Sequence, residues 1–223
     1  NGLLTFGGAD TGYHPVDFKT TATPANLPTI APLWHDWTFL YLGSDEVYYE
    51  TLGTPGSHRL IVQWNFAQSA TSTSQQTVTF QVKLFEGSNN IEFHYNDTTL
   101  TDDASESNGR GSTVGIRDVN GQTSGRNLVW SFDQVGAADG SAIRFTAPVF
   151  KTNSITRLAN KNIVLQCTGA PSKPNYIEVS PSLTTGTFTR LMPAITADAA
   201  GNFPFTDTTT TGVPRRFYRV GYP

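Results

Sequence analysis

The sequence predicts an all-β protein of two antiparallel sandwiches, the second smaller and of the fibronectin or immunoglobulin type. Three observations lead there. Apolar residues recur with period two rather than with the 3.6-residue period of a helix. Gly, Asn, Asp and Pro interrupt these runs at short intervals, as turns between strands require. Around "APVFK" (147–151) the character of the chain changes, which places a boundary between a domain at 1–148 and another at 152–223.

Taken in order, "GLLTF" opens the chain as a strand, and "IAPLWHDW" (30–37) follows a proline-broken stretch. Pro32 fixes φ and disfavours helix at Ala31. Trp34 is large enough to plug one end of a sandwich, and Asp36 can accept bonds from neighbouring amides in a turn. "EVYYETLG" (46–53) reads as a strand. "RLIVQWNF" (59–66) alternates, with Leu60, Val62, Trp64 and Phe66 on one face. "AQSATSTSQQT" (67–77) reads as a surface loop. In "VTFQVKLFEG", Val78, Phe80, Val82 and Leu84 point one way and Thr79, Gln81 and Lys83 the other. The turn "EGSNN" then leads into "IEFHY", with Ile91, Phe93 and Tyr95 on one face, which makes a hairpin with one buried side. The polar segment 96–112 reads as a second surface loop, and "STVGIRD", "LVWSF" and "SAIRFTA" as short strands. Beyond the boundary, about six short strands end in "FYRV", which buries Phe217 or Tyr218.

Composition excludes several classes of function. Only 15% of the 223 residues are charged, against roughly 25% in an average soluble domain, and the net charge is -3 with no basic block. Nucleic acid and anionic membrane surfaces both demand clustered cations, so neither is expected as a partner. No apolar run approaches the roughly 18 residues of a membrane span, so no insertion is expected. The single cysteine, Cys167, is read as a small buried hydrophobe. A cysteine-poor, threonine-rich, weakly charged β chain fits a bacterial protein that is extracellular or at the cell surface. Starting at Asn1 with no leader, it is expected to be a processed product or an excised fragment.

Six segments carry a resemblance. "NGLLTFGG" (1–8), "LPTIAPLWHDW" (27–37), "VYYETLG" (47–53), "LIVQWNFA" (60–67), "TFQVKLFEGSNNIEFHYND" (79–97) and "STVGIRDVNG" (112–121) follow one another in the order seen in nidogen-like (NIDO) extracellular modules. The first domain resembles that family. The second, through "VLQCTGAPSKPNYIEVSPSL", "ADAAGNFPFTD" and "RRFYRV", resembles small C-terminal β modules of large secreted bacterial proteins. The resemblance implies adhesion or assembly outside the cell, and it carries over no catalytic residue. It also makes Trp34 and Asp36 part of a scaffold signature, with His35 at its variable position.

The chemistry-bearing residues lead to the same reading. His14, His35, His58 and His94 are scattered without metal-ligand spacing, and no nucleophile-elbow motif is present, so no catalytic residue is expected. Calcium is the inorganic candidate. Asp102, Asp103, Glu106 and Asn108 gather hard oxygen ligands in one loop, and Asp118 and Asn120 add to them. Trp37, Tyr41 and Trp130, with Tyr13, are the candidates for stacking on sugar rings. The expected function is non-enzymatic adhesion or structural assembly, including fibre formation by strand pairing with another copy through "GLLTF". The alternative is a carbohydrate-binding module, and the expected partners are a second copy, another surface protein or a glycan.

Overall fold

The computed structural model describes residues 1–20, 27–40, 43, 46–71, 75–119, 121, 125–183 and 187–221. The chain divides into two compact units, Asn1–Thr146 and Ala147–Pro223, and both are all-β.

In the first unit the strands run β1 (Leu4–Thr5), β2 (Thr29–Trp34), β3 (Trp37–Thr38), β4 (Glu46–Leu52), β5 (Arg59–Ser69), β6 (Thr77–Phe85), β7 (Ile91–Asp97), β8 (Thr113–Arg117), β9 (Asn127–Phe132) and β10 (Ala142–Phe145). One sheet has the order β1-β2-β8-β9. The other has the order β10-β7-β6-β5, with β3 and β4 both pairing along β5. The period-two residues make the core between them. Val62, Trp64, Phe80, Val82 and Phe93 meet Ile30, Leu33 and Val114, all buried. Trp64 stacks on Phe80 with ring centres 5.0 Å apart. The buried Tyr95 hydroxyl donates to the Pro32 carbonyl at 2.7 Å, which ties β7 to β2 across the core.

Two register shifts redirect side chains that simple alternation places elsewhere. In β2 the shift falls between Ala31 and Trp34. It lets Ile30 and Leu33 join the inter-sheet core while Ala31 and Trp34 pack with Phe18 in a second cluster, alongside Val16 and Val129. Every residue of β2 is therefore buried, and Trp34 lies in that cluster rather than plugging an end. Its indole Nε1 donates to the Gly12 carbonyl at 3.1 Å.

In β5 the shift falls between Trp64 and Ala67. A β-bulge of this kind inserts residues with no direct partner and re-aims their side chains. Ala67 takes the inward place expected of Phe66, whose ring is half exposed. Phe66 sits at φ 54°, in the left-handed region a bulky residue rarely adopts.

Both predicted surface loops are partly structural. β5 continues to Ser69, so Ala67, Gln68 and Ser69 are buried. In the 96–112 segment Thr98, Leu100 and Ser112 are buried. Thr98 donates through its backbone to Asp139 Oδ1 at 2.5 Å.

The second unit holds β11 (Lys151–Arg157), β12 (Ile163–Thr168), β13 (Pro174–Ser180), β14 (Thr189–Thr196), β15 (Asn202–Asp207) and β16 (Phe217–Gly221). They form two three-stranded sheets, β11-β12-β15 and β14-β13-β16. Leu165, Cys167, Ile177, Phe203 and Phe205 fill the core, and Tyr218 rather than Phe217 packs against it. The Tyr218 hydroxyl also donates to Asp207 Oδ2 at 2.9 Å, and Arg216 pairs with the same oxygen. Burial opposes charge on Asp207, yet bonds from Thr209, Arg216 and Tyr218 outweigh it and hold the carboxyl below its ordinary pKa.

Candidate functional site

The outward face of the six-stranded sheet carries a cleft of about 480 Å3. Residues directly paired across strands share a face, so register determines its lining. Gln63 on β5 stands opposite Gln81 on β6, which stands opposite His94 on β7, which faces Ala142 on β10. Asn65, Thr79 and Lys83 complete the floor. The amides are chained. Gln81 Nε2 donates to Gln63 Oε1 at 2.5 Å, and Gln63 Nε2 donates to Asn65 Oδ1 at 2.8 Å. An amide side chain offers two donor hydrogens and an acceptor oxygen, so chained amides are oriented and keep capacity for a ligand.

One carboxylate beside the cleft gathers the basic groups around it. His94 Nε2 lies 2.9 Å from Glu92 Oε2, and Arg144 reaches Glu92 Oε1 at 2.7 Å. Burial opposes ionisation of Glu92, but the bonds from His94 and Arg144 overcome it and keep the carboxyl below its usual pKa. Lys83 sits directly across from Glu92 in the ladder. Two aromatic residues neighbour the lining residues without lining the cleft themselves. Tyr48 on β4 pairs with Gln63 and so shares its face, and it is partly exposed. Phe66 follows Asn65 in the bulge, held by a bond from its N–H to Thr79 Oγ1 at 3.2 Å.

The residues singled out from sequence fall elsewhere. Trp37 is a correction: it is 6% exposed, its Nε1 donates to the Leu33 carbonyl at 2.7 Å, and its ring packs toward Phe80. No face of that ring is open to a sugar. Trp130 is 60% exposed on β9, the edge of the other sheet, and its Nε1 bonds the Gly136 carbonyl at 2.9 Å. Tyr41 and Asn120 lie outside the described residues.

The acidic loop disperses its ligands. Asp103 Oδ1 accepts from the Ser105 hydroxyl at 2.6 Å, and Asp102 N donates to Gln76 Oε1. Asn108 Oδ1 accepts from Thr99 at 3.2 Å. Glu106 turns inward, with Oε1 accepting from Thr71 at 2.5 Å and lying 3.5 Å from His35 Nε2. Among the described residues no three His, Cys, Asp or Glu side chains converge as metal ligands.

His35 is thus a buried link between "IAPLWHDW" and that loop. Its Nδ1 accepts the Asp36 N–H at 2.6 Å, which leaves Nε2 to face Glu106. Gly111, at φ +65°, passes so close that a Cβ there would lie 3.2 Å from Nε2. Burial pushes the His35 pKa below its ordinary value, and Glu106, Asp36 and Asp103 oppose this only in part. Asp36 acts through its backbone, its carbonyl accepting from Ala70 N–H at 2.8 Å.

Sequence reading missed the cleft because its residues are the outward, polar half of the alternation. The signal present was the run of Gln63, Asn65, Thr79, Gln81 and Lys83 at outward spacing. What brings them together is register.

No curated protein and no solved structure matches the chain. The sequence model of the family described as NIDO related matches residues 1–165, which covers the whole first unit and continues through β11 into β12. With nearly three quarters of its length matched, and with the sandwich of the first unit built from the segments that carry the likeness, the chain belongs to the NIDO-related family.

Proposed function

We propose that this chain is a non-enzymatic extracellular adhesion module that holds its ligand on the outward face of the six-stranded sheet. The observation that carries this reading is the cleft itself. Its floor is chained amides and hydroxyls on a paired sheet, groups suited to holding a ligand by hydrogen bonds. Membership of the NIDO-related family supports a setting outside the cell. The test uses beads coated with the full chain, presented to surfaces bearing polysaccharide, matrix protein or the chain itself. Adhesion that is lost in a Gln63→Ala, Gln81→Ala double variant is the expected result. Adhesion unaffected by that variant would remove the cleft from the function.

A second reading, self-assembly, draws on β4. Within the described strands β4 pairs only with β5. Its Val47 and Tyr49 pair with Trp64 and Val62 and share their core-facing side, yet Tyr49 is 81% exposed. An edge strand with uncovered apolar residues is a template for pairing. The terminal strand β1, by contrast, already pairs with β2. Sedimentation at rising concentration tests this: association weakened by Tyr49→Lys supports assembly, and a monomer throughout removes it.

A further inference from the structure

We infer that the cleft on the six-stranded sheet binds a neutral oligosaccharide, with Gln63, Asn65 and Gln81 reading its hydroxyls and Tyr48 and Phe66 offering ring faces at the border. This rests on the adhesive reading above and names the ligand class for it.

Four observations converge. The first is hydrogen-bonding character. A sugar hydroxyl both donates and accepts, and so does a side-chain amide, so neighbouring hydroxyls on a ring match chained amides. The chain from Gln81 to Gln63 to Asn65 fixes those amides before any ligand arrives. Preorganisation of that kind lowers the cost of binding. The second is charge. Glu92 is paired with His94 and Arg144, which leaves Lys83, opposite Glu92 in the ladder, as one surplus positive charge at the cleft rather than the cluster of cations that a sulfated ligand demands.

The third is where the site lies. It occupies a sheet face, where the backbone groups of β5, β6 and β7 are committed to one another outside the two register shifts. A peptide strand adds to a sheet edge through main-chain bonds, and this face offers only side chains. The fourth is the bulge. Holding a phenylalanine at positive φ is unfavourable, and strain of this kind gathers at functional positions. Here it turns an aromatic ring out of the core beside Asn65, while Thr79, itself in the cleft, anchors the bulge. Tyr48 borders Gln63 on the adjacent strand. Apolar ring faces beside polar side chains suit the two chemistries of a pyranose.

The experiment is a glycan array probed with the full chain, followed by calorimetric titration of the strongest neutral oligosaccharide. Gln81→Ala and Tyr48→Ala are each expected to weaken binding at least tenfold without lowering the melting temperature, and Trp130→Ala to leave it unchanged. Gln63→Asn serves as a second variant should an alanine perturb the sheet. Binding lost in Trp130→Ala but kept in Gln81→Ala would overturn the site. Binding confined to sulfated or sialylated glycans and abolished by Lys83→Gln would overturn the neutral class. If no glycan binds while bead adhesion persists and depends on the cleft, the ligand class is wrong and the adhesive reading stands. If neither occurs, both fall.

Discussion

His35 has the burial of a core residue and the chemistry of a titrating one, so its charge state bears on stability. Its pKa is lowered in the folded chain, chiefly by burial. The unfolded chain therefore binds a proton at higher pH, near the ordinary histidine value of about 6.5. Stability from neutral His35 is complete above that value and is lost as pH falls toward the folded pKa, by about 1.4 kcal/mol for each unit of depression. Melting between pH 7.5 and 5 should show the decline, and His35→Gln should flatten it. The carboxylates with lowered pKa values, Glu92, Glu178 and Asp207, act in the same sense, since the unfolded chain again takes up its protons first, but they lose their contribution only as pH falls below about 4. The two tryptophans make a sharper contrast. Trp37→Ala should cost about 3–5 kcal/mol, as deletion of a buried aromatic does, whereas Trp130→Ala should cost under about 1 kcal/mol. Denaturant unfolding of both variants measures the difference.

Strands set the next scale, and the decisive one is β5. Its pairing with β6 is regular from Arg59 to Trp64 and resumes at Ala67. The interruption places Phe66 in a backbone conformation that costs a non-glycine L-residue about 1–2 kcal/mol. Phe66→Gly removes that strain and a half-exposed ring, while glycine adds freedom to the unfolded chain. Because glycine's freedom and the lost burial of the half-covered ring offset the relieved strain, the net expectation is a change of less than about 1 kcal/mol in unfolding free energy. A loss above about 1 kcal/mol would show that the ring packs more than its exposure indicates. The shift in β2 has the same logic: it distributes one apolar run between two clusters, so "IAPLW" is buried throughout.

At the level of the whole molecule, each unit carries its own hydrophobic core. The cluster around Phe80 and Phe93 lies within 1–146, and the one around Leu165 and Phe203 lies within 147–223. Residues 147–223 alone should therefore fold, with cooperative thermal unfolding and a dispersed amide spectrum. A featureless spectrum would contradict separate cores. The Asp207 cluster, with Arg216 and Tyr218 on one carboxylate, contributes to that independence because it closes the segment between β15 and β16.

Strand identity was legible from the chain alone, because period-two alternation of Val, Phe and Trp against Thr, Gln and Lys is a local property that burial of one face enforces. Family resemblance was legible for the same reason, since "IAPLW", "TFQVKLF" and "IEFHY" are the strands that make the core. Tertiary structure alone decided which side chains meet. Register placed Gln63, Gln81 and His94 in one row across three consecutive strands. A bulge turned Phe66 outward, and packing against Leu33 and Phe80 buried Trp37, whereas Trp130 stays exposed on the edge strand of the other sheet. Alternation fixes which half of a strand faces the core, but the register of pairing between strands fixes what stands beside it.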